Sequence, residues 1–177
     1  MSATVIILAA LTAFLVVFTW FSSIREKRYH GYPRFFAFES VFVLIALNWG
    51  LWFRDPFSIR QIVSWLLFAA SIAVVAAGFL ALKKYGKPDG PNFENTTRLV
   101  DRGIFRFIRH PMYASLVYMD IGAFLKGIRL STAIVLAAGL IACGLTAFME
   151  EREMKAKFGE EYLAYMKRTR RFVPFFI

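Results

Sequence analysis

A chain of 177 residues that is 58% hydrophobic and only 19% charged falls outside soluble globular domains, which average about 45–50% apolar and about 25% charged. Its mean hydropathy is +0.53, and its charges clump between long apolar runs, the pattern of several membrane-spanning helices. A formal net charge of +10 then points to Lys and Arg facing anionic headgroups on the cytoplasmic side. No basic stripe on a soluble fold argues for nucleic acid.

The first predicted span covers residues 3–21 and is followed by Arg25, Lys27 and Arg28. Its positive cluster comes after the apolar run, so it reads as a retained span with its N-terminus outside, not a cleaved signal. The 22–34 segment, with Tyr-His-Gly-Tyr-Pro, reads as an interfacial turn carrying a surface histidine, His30. A second span, 35–53, is interrupted by Glu39 and Asn48, and a third, 61–82, has 22 residues and no charge. Residues 112–125 and 130–149 give a fourth and a fifth, separated by Lys-Gly-Ile-Arg. The fourth is short and contains Asp120, so it tilts, packs inside or begins below the membrane surface. Cys143, the one cysteine, lies in an apolar run and reads as a free buried thiol.

This gives an all-α polytopic protein of about five spans, organised as one integral membrane domain over 1–177, with three spans in 1–82 and a two-span hairpin in 83–177. With the N-terminus outside, the inner segments 22–34, 83–111 and 150–177 hold 18 Lys and Arg against 4 (Arg54, Arg60, Lys126, Arg129) in the outer turns. That positive-inside bias puts the C-terminus in the cytosol, in either a bacterial inner membrane or the endoplasmic reticulum. Trp20, Trp49, Trp52 and Trp65 fall near span ends, as in an aromatic belt.

The segments 83–111 and 150–177 flank the hairpin, so they emerge side by side on one face. The first ends in Leu-Val-Asp-Arg-Gly-Ile-Phe-Arg-Phe-Ile-Arg-His-Pro-Met-Tyr, closing at Tyr113. Pro111 suits the first turn of a helix, and His110 before it is biased to an extended conformation. A plain helix start explains this pattern. So does an anion site at the positive end of the helix dipole, beside His110 and Tyr113. In the second segment Met154, Phe158, Tyr162 and Tyr165 recur at helical spacing and make one apolar stripe. Glu151 falls within that stripe, Glu150 and Arg168 lie about 100° to one side, and Gly159 bends or breaks the helix. The segment reads as an amphipathic helix on the membrane, or as one face of a site in which a carboxylate at the membrane boundary is paired or used.

These residues resemble a known family. Leu-Val-x-x-Gly-Ile-Phe-x-x-Ile-Arg-His-Pro-Met-Tyr is followed about forty residues later by Glu-Glu, then Phe-Gly-x-Glu-Tyr-x-x-Tyr and Arg-x-x-Pro. Together they are similar to the isoprenylcysteine carboxyl methyltransferases and to the related membrane phospholipid N-methyltransferases, over about residues 86–174. The resemblance implies S-adenosyl-L-methionine as cofactor and a lipid or lipidated substrate entering from the bilayer at the cytosolic face. It implies cofactor contacts from Thr97, Arg98, Leu99 and Val100, from Phe105, from His110, Pro111, Met112 and Tyr113, and from Glu150. Glu150, Glu151, Arg168 and Arg171 are the expected catalytic candidates, and no metal is expected. Where carboxyl methyltransferases of this kind place an arginine four residues before the glutamate, this chain has Thr146. A substrate carboxylate would then need Arg168 or Arg171 as its partner, and phospholipid amine N-methylation is the alternative. A sterol-type reductase and a non-enzymatic scaffold or transporter using Asp120 are the readings from other classes.

Overall fold

The computed structural model describes residues 3–25, 28–87 and 96–174. Among them there are six α-helices and no strand: α1 Ala3–Thr19, α2 Gly31–Leu47, α3 Ile59–Tyr85, α4 Pro111–Lys126, α5 Leu130–Phe158 and α6 Glu160–Arg168. A π-helical turn, Trp20–Ile24, prolongs α1. Each of the first five helices overlaps one of the five predicted spans. Three stretches, Ala3–Ile24, α3 and α5, are long and apolar enough to cross a membrane. At 17 and 16 residues, α2 and α4 reach only about 24–26 Å, short of a hydrocarbon core of about 30 Å. The second span was expected to run to residue 53, but α2 stops at Leu47. Asn48 turns its side chain to other helices instead, donating to the Ala123 carbonyl at 2.9 Å and accepting from Arg129 at 2.8 Å.

The chain packs as two compact units, 1–70 with 116–146 and 71–115 with 147–177. The first shows the burial pattern of a protein dissolved in lipid. Phe14, Val16 and Leu66 are exposed, whereas Ser40, Asn48, Gln61, Ser64, Asp120 and Thr132 are buried. Lipid offers helices little hydrophobic reason to associate, so close packing at small residues and polar bonds hold them together. Ser40 Oγ lies 3.1 and 3.0 Å from the two Asp120 oxygens, and Ser64 donates to the Gly122 carbonyl at 2.7 Å. Gly139 sits so near Ser40 and Asp120 that any side chain there would collide with both. Lys126, counted above with an outer turn, is the last residue of α4 and is 1% exposed. Its ammonium donates to Gln61 Oε1 at 2.7 Å and lies 3.7 Å from the Trp65 ring centroid, with Trp52 and Phe68 also around it. His30 is likewise not at the surface. It is 3% exposed, because the turn before α2 is drawn against the end of α1, where Gly31 packs on Ser23.

In the second unit, the C-terminal part of α3, the start of α4, the polar end of α5 and α6 are assembled with the intervening segments. Ser71 donates to the Ser115 carbonyl at 2.8 Å, and Gly78 gives Pro111 room beside α3. A small apolar core of Ala81, Val100 and Phe105 is flanked by Leu82, Tyr85 and Ile104. The helix carrying Glu150 and Glu151 runs to Phe158 and stops at Gly159, whose φ of +55° is strained for any residue with a side chain. Its direction then changes into α6, and the sequence stripe survives the break: Tyr162 and Tyr165 are both buried.

Candidate active site

The site lies wholly in the second unit and begins with a short strap, residues 107–110, leading into α4. Parallel to it runs the segment after α6, joined through an isolated bridge between Ile108 and Arg170. The Arg170 N–H donates to the Phe107 carbonyl (3.1 Å), the Arg109 N–H to the Arg170 carbonyl (2.7 Å), and the His110 N–H to the Arg171 carbonyl (3.1 Å). The strap is therefore held by backbone from sixty residues further along the chain. α4 starts at once behind it. The His110 carbonyl accepts from the Ala114 N–H at 2.8 Å, which makes His110 the cap residue and Pro111 the first residue of the helix. Pro111 has no N–H, and the N–H groups of Met112 and Tyr113 have no carbonyl ahead of them within the helix.

Opposite the strap, α5 supplies the carboxylate around which the side chains gather. Glu151 is 2% exposed. Its Oε1 accepts from Arg109 Nε at 3.0 Å and Arg171 Nε at 3.1 Å, and its Oε2 accepts from the Arg171 terminal nitrogen at 2.9 Å. His110 Nε2 is 3.3 Å from the same Oε1. A carboxylate this deeply buried is tolerated only when paired and hydrogen-bonded, and here two guanidiniums and an imidazole meet that condition. The bond to Glu151 raises the pKa of Arg171 further. Arg109 Nη1 also donates to the Met166 and Thr169 carbonyls, so one side chain ties strap, α5 and the end of α6 together.

Around this centre, His110 stacks on Tyr113 with ring centroids 5.7 Å apart and lies 6.2 Å from Phe172. The other imidazole nitrogen, Nδ1, is 3.8 Å from Glu150 Oε2. Glu150 keeps 29% of its side chain exposed, so His110 stands between a buried, saturated carboxylate and a half-open one. Below, the Tyr165 hydroxyl donates to the Phe105 carbonyl at 2.7 Å. Burial raises the pKa of both Tyr162 and Tyr165, leaving them neutral donors.

Of the residues singled out in the sequence, His110, Tyr113, Glu150, Glu151 and Arg171 are brought into one cluster, and Pro111 and Met112 begin α4 beside it. Phe105 is attached through Tyr165. Val100 belongs to the small apolar core and Leu99 is half-buried, while Thr97 and Arg98 are exposed. Thr97 closes the loop by donating to the Lys87 carbonyl at 2.8 Å. Arg168 faces Asp101 at 3.6 Å on an exposed surface and not Glu150 or Glu151. Thr146, one turn before Glu150 on α5, is buried with its hydroxyl turned back to the Ala142 carbonyl. Arg109 was passed over in the sequence, although it stands beside His110. The signal was the buried carboxylate itself: a stripe glutamate needs a cation, and Arg109 is adjacent in the motif.

Three helices long and apolar enough to cross a membrane, with large apolar side chains exposed along them, are those of an integral membrane protein. A family model for phospholipid methyltransferases matches residues 59–161, taking in α3, the strap, α4, α5 and the start of α6. The chain belongs to that family, and is a membrane methyltransferase. A search of curated proteins returned no match.

Proposed function

We propose that the chain transfers a methyl group from S-adenosylmethionine to a lipid or lipidated substrate at the cytosolic membrane face, with the site centred on His110, Glu150 and Glu151. The observation that carries this reading is the placement of His110. It caps a helix whose first N–H groups lack intrahelical acceptors, and it lies against both carboxylates of α5. The cofactor bears an α-carboxylate, an α-ammonium and an adenosyl group, and the donors and acceptors of this cluster suit them. The Met112 N–H, at the positive end of the α4 dipole, offers a donor to the carboxylate. Glu150, half-exposed, offers an acceptor to the ammonium or ribose hydroxyls. Phe105, Tyr113 and Phe172 supply aromatic surface.

The bound cofactor supplies an electrophilic methyl on a positively charged sulfur. This chain has to align an acceptor in line with it at about 3–3.5 Å and exclude water. Glu151 is a positioning residue: with Arg109 and Arg171 it fixes the strap on which His110 sits. Glu150 is the carboxylate left to face ligand.

A specific observation favours an amine as acceptor over a carboxylate. A substrate carboxylate needs an uncommitted cation, yet Arg171 and Arg109 are both spent on Glu151, and Thr146 occupies the place of the family arginine. An amine needs a proton acceptor, and Glu150 beside His110 answers that need.

Calorimetry with S-adenosylhomocysteine on purified protein in nanodiscs tests the reading. Wild type binds, while His110→Ala and Glu150→Ala each bind about tenfold more weakly with expression intact. Absence of binding to wild type, or wild-type affinity in both variants, moves the site elsewhere. Lipid mass spectrometry then identifies the acceptor through a product one methyl heavier that disappears with His110→Ala.

A further inference from the structure

Next to the bridge lies a second feature that the methyl-transfer reading does not use. Arg106, Phe107, Lys167, Arg168, Arg170 and Pro174 line a half-open cleft of about 200 Å³. Its position follows from the alternation of an extended chain, in which successive side chains point to opposite sides. Arg171 turns inward to Glu151, so its neighbour Arg170 turns away from that cluster and into the cleft. Four cations thus surround one small volume, and a single carboxylate, Asp101, pairs with one of them, Arg168. Among the described residues no acidic side chain pairs with Arg106, Lys167 or Arg170. Like charges so placed repel one another unless an anion sits between them. Phe107, 48% exposed at the cleft wall, and Pro174 give it an apolar side.

We propose that this cleft is a binding site for the phosphoryl headgroup of an anionic membrane phospholipid, separate from the methyl-transfer cluster. Guanidinium forks match a phosphate's oxygens in pairs, and a lysine adds a point charge. A sugar or a neutral metabolite would have no use for four cations. The lipid is favoured over a free anion because Phe107 and Pro174 give the cleft an apolar side, and from Phe107 the strap runs directly into the apolar helix α4. There an acyl chain beside Phe107 would continue into the bilayer. The contact would anchor this end of the molecule to acidic membrane and keep the adjoining site at headgroup depth.

Native mass spectrometry of the full-length protein released from mixed micelles, with phosphatidic acid and phosphatidylcholine as probes, tests this. Wild type retains phosphatidic acid preferentially, and the Arg106→Gln/Arg170→Gln double variant loses about thirtyfold in that preference, near fivefold for each cation removed. Lys167→Gln alone loses about fivefold. S-adenosylhomocysteine affinity and the helical circular-dichroism signal stay at wild-type values in these variants, since the substitutions leave the backbone bridge of Arg170 in place and none of the three side chains bonds to Glu151 or His110. Undiminished retention of phosphatidic acid by the double variant overturns the proposal. So does displacement of the lipid by inorganic phosphate at equal concentration, which would mark a free-anion site. Loss of S-adenosylhomocysteine binding alongside the lipid would make the cleft part of the cofactor site and overturn its separateness.

Discussion

Glu150 and Glu151 are neighbours with different work, and their environments decide which does what. Glu151 is sealed among Arg109, Arg171 and His110. Replacing it with glutamine leaves two guanidiniums facing a neutral amide, one of them almost wholly buried, and is expected to cost about 3 kcal/mol of stability. A lowered unfolding temperature in nanodiscs measures this. Glu150→Gln removes a half-exposed carboxylate with one loose contact, so unfolding shifts by less than about 1 kcal/mol while cofactor affinity falls. Equal thermal effects from the two variants would contradict the division of roles. The helical wheel of the sequence placed Glu151 within the apolar stripe, and the family resemblance implied Glu150 as the cofactor contact. Both can hold, because burial and ligand contact are separate properties. Arg109 was passed over because its partner lies 42 residues away, and the one signal for it was indirect, the need of a stripe glutamate for a cation.

At the level of elements, the spans were readable because apolar runs of this length have few alternatives to a helix in lipid. Their ends were less so. Asn48 shortened α2 by bonding across to other helices, while α5 continues past the predicted span end at residue 149 into the helix read from Met154 and Phe158. Gly159 was recognised as a break, and its left-handed φ gives the reason. Gly159→Ala is expected to destabilise the α5–α6 corner by about 1–3 kcal/mol, read as a lowered unfolding temperature. It should also weaken S-adenosylhomocysteine binding, because α6 carries Tyr165 and ends at Thr169, which holds Arg109. Gly144, equally unencumbered by neighbours but in ordinary helical geometry within α5, should tolerate alanine. Its substitution is the control that separates backbone conformation from helix packing.

For the whole molecule, the charge asymmetry predicts an orientation that can be read directly. In a Cys143→Ala background, a cysteine at Ser58, in the turn before α3, should react with an impermeant maleimide applied from outside intact cells. A cysteine at Lys155, near the polar end of α5, should react only after permeabilisation. The reverse pattern would invert the topology and place the cluster on the outer face. Lys126 adds a qualification that composition alone does not supply. It counts as an outer charge in sequence, yet it is enclosed by Trp52, Trp65 and Phe68, so it acts as an internal fastening and contributes little to surface potential.

The bridge between strap and tail also imposes an order on biosynthesis. Residues 107–110 leave the ribosome well before residues 166–171, whose carbonyls hold them in place, and Glu151 arrives in between. Until then Arg109 and His110 lack the partners that complete the cluster. A chain ended after Tyr165 should therefore still insert and retain its helices, yet fail to bind S-adenosylhomocysteine. Completion of the site thus waits for the last of these residues to be made.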